Sequence, residues 1–149
     1  MSNLLNAPSE DIGYLLWRIM KLWQRGRYRL IDEFELTVPQ MEMLGAIFHM
    51  SKNDGELTQI ALSQETGIDP MTTSTILRNL QKKGYITRTE SKTDTRARVV
   101  SLEPEGRAQF MKALFKVETI QEDLFRKIDK KALVTQLQML LQSLEEYKK

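Results

Sequence analysis

The chain has 149 residues, 41% hydrophobic and 28% charged, the balance of a soluble globular chain long enough for one domain with its own core. It has no cysteine and one histidine, which excludes a disulfide framework, a thiolate metal site and most nucleophilic or metal-dependent chemistry. The net charge of +2 is unevenly distributed: residues 1–69 carry −4, residues 70–102 carry +5 and residues 103–149 carry +1.

In chain order, Ile12, Leu15, Leu16, Ile19, Leu22, Trp23, Leu30 and Phe34 recur at three- and four-residue spacing and predict a long amphipathic helix from Asp11 to about Phe34. Ser9 and Asp11 offer its start, and Gly26 inside it marks a bend or a close approach. Thr37 is placed to cap a second helix led by Val38 and Pro39, with Met41, Leu44, Ile47 and Phe48 facing a core. The polar run SKNDGE at 51–56 is a turn. Thr58 then starts a helix carrying Ile60, Ala61, Leu62 and Thr66 up to a stop at Gly67. Asp69 and Pro70 form an N-cap and first turn for the next helix, which runs through Ile76, Leu77 and Leu80 to Gly84. Two short helices across a tight glycine-containing turn are a helix-turn-helix signature.

The period then changes. Tyr85 to Thr89 alternate as a strand, ESKTDT is a charged turn, and Arg98 to Leu102 form the return strand of a hairpin. Beyond Pro104 one helix carries Phe110, Leu114, Val117, Ile120, Leu124 and Ile128. A last helix, capped by Asp129, carries Leu133, Leu137, Leu140, Leu141 and Leu144. The expected fold is therefore mainly α with a small β-hairpin. His49, near the end of the second helix, reads as a capping or exposed residue rather than a sensor.

The basic stretch at 70–102 is the footprint expected of a nucleic-acid contact, because each neutralised phosphate releases condensed counterions. On charge alone it is equally a solvated basic face. The helix from Pro70 to Lys83 has the diameter to enter a major groove, where base edges distinguish all four base pairs. Its period turns Thr73, Ile76, Leu77 and Leu80 inward and Met71, Thr72, Thr75, Arg78 and Asn79 outward, with Ser74 at the margin. Helix N-terminal residues usually reach bases, which favours Met71, Thr72 and Thr75.

Four stretches, LTVPQMEML at 36–44, LTQIALSQETGID at 57–69, LQKKGYI at 80–86 and DTRARVVSLEPEG at 94–106, carry a wider resemblance. From Gly13 to Leu144 the chain resembles the MarR family of winged-helix regulators, and the wing element with Asp94, Arg96, Ala97 and Arg98 is its most specific part. The resemblance implies a winged helix-turn-helix lobe at 37–104, flanked by dimerisation helices at 1–36 and 105–149, in one MarR-type domain. It also implies a homodimer on a pseudo-palindromic site in double-stranded DNA. Thr75 stands where many relatives carry an arginine, which takes away a guanine contact and shifts specificity toward the wing and DNA shape.

In the wing, Lys92, Asp94, Arg96 and Arg98 are the expected contacts. Arg96 is suited to a narrow minor groove, and Asp94 to holding its guanidinium by charge-assisted hydrogen bonds. Lys82, Lys83 and Arg88 are expected phosphate contacts. Relatives often bind a small aromatic or anionic effector, for which Trp17, Met20, Trp23, Tyr28 and Met43 are the candidate lining; on helical stripes such residues also serve as core.

Repression is the family default, with an activator, an architectural factor or a winged-helix protein-interaction module as alternatives. An enzyme is not expected, because no glycine-rich phosphate loop follows a strand and one histidine cannot complete a catalytic set. No cofactor or metal is expected. No window approaches the roughly 20 apolar residues of a membrane span, and MSNLLNAPSED lacks the basic start of a signal peptide, so the expected location is cytoplasmic, away from membranes.

Overall fold

A computed structural model describes the backbone of residues 8–147 and the side chains of these residues except 8 and 27–31. Six helices and one hairpin follow in order: α1 (Ile12–Asp32), α2 (Val38–Met50), α3 (Gln59–Thr66), α4 (Pro70–Lys82), β1 (Ile86–Glu90), β2 (Arg98–Leu102), α5 (Pro104–Leu124) and α6 (Lys130–Tyr147). They divide into two compact units, Met1–Ala113 and Leu114–Lys149. Among the described residues no helix is long and apolar enough to cross a membrane.

Local chemistry accounts for most helix starts. A single 3-10 turn, Pro8–Glu10, precedes α1, and Asp11 caps that helix by accepting from the Tyr14 amide at 2.7 Å. The helix ends at Asp32, short of the expected Phe34, and Gly26 has open space around it rather than a close neighbour. Thr37 and Gln40 form a reciprocal capping box for α2: Thr37 Oγ1 accepts from the Gln40 amide at 3.2 Å, and Gln40 Oε1 accepts from the Thr37 amide at 3.1 Å.

The core of the first unit gathers around α2, which contributes Met41, Met43, Leu44 and Ile47. Leu36, Leu62, Ile76, Leu77, Leu80, Ile86, Val100, Phe110 and Ala113 complete it. Ile60 lies on α3 as expected and is exposed there, while the same helix buries Leu62 and Ser63. His49 is exposed in the last turn of α2, edge-on to Phe48.

Gly67, at φ 70°, ends α3 in the left-handed conformation that a side chain rarely adopts. The connection to α4 is then fixed by two hydroxyls. Ser63 Oγ donates to the Ile68 carbonyl at 2.6 Å and Thr73 Oγ1 donates to the same carbonyl at 3.2 Å. Both side chains are buried, so each finds its partner inside the turn that it shapes.

The hairpin is antiparallel, with Ile86 opposite Leu102 and Glu90 opposite Arg98; β1 begins at Ile86, one residue later than expected. The segment before α3 adds a third edge, through the Val100 amide donating to the Leu57 carbonyl at 2.8 Å and a bridge between Thr58 and Val99. Tyr85 joins three elements: its amide bonds the Leu80 carbonyl at the end of α4, and its carbonyl accepts from the Glu103 amide at 2.9 Å just before α5. Gly106 makes this closure possible. A Cβ there would stand 2.2 Å from the Tyr85 carbonyl oxygen.

In the second unit α5 stops at Leu124, and Ile128, expected within it, lies in a turn whose amide bonds the Phe125 carbonyl. Asp129 caps α6, accepting from the Ala132 amide at 3.1 Å. No residue of α6 is buried; Val134, Leu137, Met139, Leu141 and Leu144 are all exposed. In the first unit α1 likewise exposes Ile12, Trp17, Ile19, Met20 and Leu22.

The Gly106 contact predicts that Gly106→Ala destabilises the protein by about 1–3 kcal/mol, the usual range for forcing an atom into a packed interior. Denaturant unfolding of the variant should give a lower midpoint, and an unchanged midpoint would mean that Tyr85 moves aside at no cost.

Candidate nucleic-acid interface

Asp69 begins the outward helix by accepting from the Thr72 amide at 2.9 Å. The hydroxyl and the amide of Thr72 together hold the Asp69 carboxyl below its usual pKa, because both favour the charged form. Thr73, Ile76, Leu77 and Leu80 are buried along one side of α4. Met71, Thr72, Thr75, Arg78 and Asn79 are exposed on the other, and Ser74 is half-buried between them. The protein therefore presents a helix surface whose orientation is fixed by the opposite face.

Beside this helix lie Arg88 on β1 and Arg98 on β2. The Arg88 guanidinium is held from two helices: Nε donates to Gln81 Oε1 at 2.9 Å and Nη1 donates to Gln59 Oε1 at 3.4 Å. Burial lowers its pKa, and the positive charges of Arg78 and Arg98 add to the shift. Those two arginines therefore act on Arg88, and α4, β1 and β2 combine into one basic surface. Arg98 is also paired with Glu90, its cross-strand neighbour, at 3.5 Å with both side chains exposed, an arrangement worth little to stability.

The wing tip is built around Ser91, a buried residue at the end of β1. Its hydroxyl donates to Glu56 Oε2 and accepts from the amides of Thr93 and Asp94 at 3.1 and 3.2 Å. The other Glu56 oxygen accepts from the Lys92 amide at 2.9 Å. Asp94 Oδ1 receives both the Arg96 amide at 3.0 Å and Arg96 Nε at 3.2 Å. The Arg96 side chain is 91% exposed, so Asp94 orients the base of a guanidinium that otherwise stands clear of the protein.

Of the other residues singled out from the sequence, Lys82 is exposed at the end of α4. Lys83 has a different use: its ammonium donates to the Glu35 carbonyl and, at 3.3 Å, to Gln40 Oε1, tying the end of α4 to the connection between α1 and α2. Trp17, Met20 and Trp23 are exposed on α1, whereas Met43 is fully buried in the core, a packing position rather than a free wall; Tyr28 lies outside the described side chains. A cavity of about 680 Å³ behind the wing has none of Trp17, Met20, Trp23 and Met43 in its lining, which includes Phe48, Lys52, Glu56, Leu57, Val99 and Arg107. Gln59, Gln81, Glu56 and Ser91 do not stand out in the sequence, because the pairs Gln81–Arg88, Gln59–Arg88 and Glu56–Ser91 are 7, 29 and 35 residues apart and no local spacing marks them.

A helix-turn-helix with an outward second helix, followed by a basic hairpin, defines a winged helix-turn-helix DNA-binding regulator. The MarR family profile matches residues 35–97, from within the α1–α2 connection to the wing turn just before β2. The chain is 32% identical over 126 residues to the uncharacterized HTH-type transcriptional regulator YdcH of Bacillus subtilis (strain 168), covering 85% of this chain and 86% of that protein. It belongs to the MarR family. Its fold matches the transcriptional repressor CouR of Rhodococcus jostii RHA1 bound to a 23-mer DNA duplex, with TM-score 0.78, 23% identity and coverage of 97% and 99% of the two chains. CouR is also known with p-coumaroyl-CoA bound. The DNA complex of MepR from S. aureus matches with TM-score 0.75, 22% identity and coverage of 89% and 97%.

The Glu56 anchor predicts a pH response. The Ser91 hydroxyl first, and then the Lys92 amide and charge, lower the Glu56 pKa. A carboxylate with a depressed folded pKa adds stability above its unfolded value and loses it as the pH falls through the folded value. Amide signals of Lys92 and Thr93 should therefore titrate below the usual glutamate value, and Glu56→Gln should remove that inflection. Titration at or above the usual value would contradict the anchoring role.

Proposed function

We propose that this chain is a ligand-responsive transcriptional repressor that binds a pseudo-palindromic operator as a homodimer. The observation that carries this reading is the exposed stripe of α4 beside a wing whose Arg96 projects freely while Asp94 orients it. Met71, Thr72, Ser74, Thr75, Arg78 and Asn79 read the major groove. Arg96 enters the adjacent minor groove, with Lys92 and Arg98 near it. Lys82 and Arg88 meet phosphates. Lys83 reaches the backbone only if it leaves Glu35. The DNA-bound forms of CouR and MepR support the same general use of the fold.

A two-fold operator needs two copies of α4. The apolar residues that α1 exposes in the first unit, and those that α6 exposes in the second, are surfaces that a second copy would remove from water. An effector of small aromatic or anionic chemistry, for which p-coumaroyl-CoA on CouR is the precedent, acts by binding one spacing of the two lobes better than the other.

Arg96→Ala should weaken operator binding by about 1–3 kcal/mol and lower the salt slope by about one unit per wing. Binding isotherms at several salt concentrations on a duplex selected from a random pool measure both, and unchanged values would remove the wing from the interface. Exchanging Thr72 or Thr75 should alter the selected sequence, whereas Lys82→Ala should weaken all sequences alike.

Leu141→Glu, on the exposed face of α6, should convert a dimer into folded monomers by light scattering. A wild-type chain that is already monomeric would oppose the dimeric reading.

A further inference from the structure

The leading turn of α4 offers an unusual surface to a groove. Met71, Thr75, Arg78 and Lys82 stand at i, i+4, i+7 and i+11, a single stripe along the helix. Met71 is 83% exposed, a bare thioether at the second position of a capped helix. Of the hydroxyls near it, that of Thr75 is already engaged as a donor, to the Met71 carbonyl at 3.2 Å, while the Thr72 amide bonds the Asp69 carboxylate at 2.9 Å. What the stripe turns outward at this end is the Met71 thioether methyl and the Thr75 methyl. Along the stripe, charged hydrogen-bond donors begin with Arg78.

This division restricts what the helix can recognise. The guanine edge presents two acceptors in the major groove and calls for a donor; thymine alone presents a C5 methyl group. Resting on the DNA-binding reading above, we propose that Met71 and Thr75 read thymine through its C5 methyl, making the first turn of α4 an apolar reader and Arg78 its polar continuation. Burying one methyl between protein and base is worth about fourfold in affinity.

The test uses the intact protein and a duplex that it selects from a random pool, with deoxyuridine replacing thymidine one position at a time. Uracil keeps every hydrogen-bonding group and loses only the methyl. The wild type should lose about fourfold at one or two positions in each half-site. Met71→Ala should abolish the difference at one of them and Met71→Leu should retain it, while Thr75→Ser, which keeps the hydroxyl, should abolish the other. Indifference of the wild type to uracil everywhere, with salt-sensitive binding intact, overturns the inference and leaves the DNA-binding reading standing. A uracil penalty that survives both Met71→Ala and Thr75→Ser assigns the methyl to other residues and also overturns it. Failure to bind any duplex removes both readings together.

Discussion

The carbonyl of Ile68 is the point on which the helix-turn-helix turns. Two buried hydroxyls, one from α3 and one from α4, converge on it, so the connection between the helices is fixed by bonds that cannot exchange readily with water. Left unpaired, each of these groups would cost about 1–3 kcal/mol in the interior, which makes one geometry of the turn much cheaper than its neighbours. With that angle set, burial of Thr73, Ile76, Leu77 and Leu80 decides which residues of α4 face out. The outward face of α4 is thus a by-product of core packing and a pinned turn.

The wing has a comparable logic with different materials. A two-stranded hairpin is marginal in isolation, and here it gains a third edge at Leu57 and a polar anchor at Glu56. The Ser91 hydroxyl gathers Glu56 and the amides of Thr93 and Asp94 at the tip, so the residues that follow it start from a defined position. Arg96 can then project almost entirely into solvent without the loop beneath it becoming loose. The base of the wing is thus rigid while its end is free.

Much of this was legible in the residues. Thr37, Thr58, Asp69 and Asp129 act where caps were expected, because capping depends on neighbours two or three positions away. The inward and outward faces of α4 followed from period alone. Less was visible where long-range partners decide. Lys83 looked like one more cation beside Lys82, but Glu35 and Gln40, more than 40 residues earlier, occupy it. Met43 belongs to a stripe that more often packs a core than lines a pocket, and the packing around α2 places it in the core. Ile128 kept the apolar spacing of α5 past the point where the backbone turns, since periodicity registers a buried face and not the end of a helix.

The attachment of Lys83 has a mechanical meaning. Glu35 adopts φ 55°, a strained conformation for a residue with a side chain, at the joint where α1 gives way to α2. That joint is gripped from two sides, by Lys83 at the end of α4 and by Gln109, which donates to the Phe34 carbonyl at 2.9 Å. A rotation of α1 about the joint would pull on both grips at once, and one of them starts from the end of α4. The molecule therefore contains a short linkage, one side chain long, through which leverage on its first helix arrives at the end of α4.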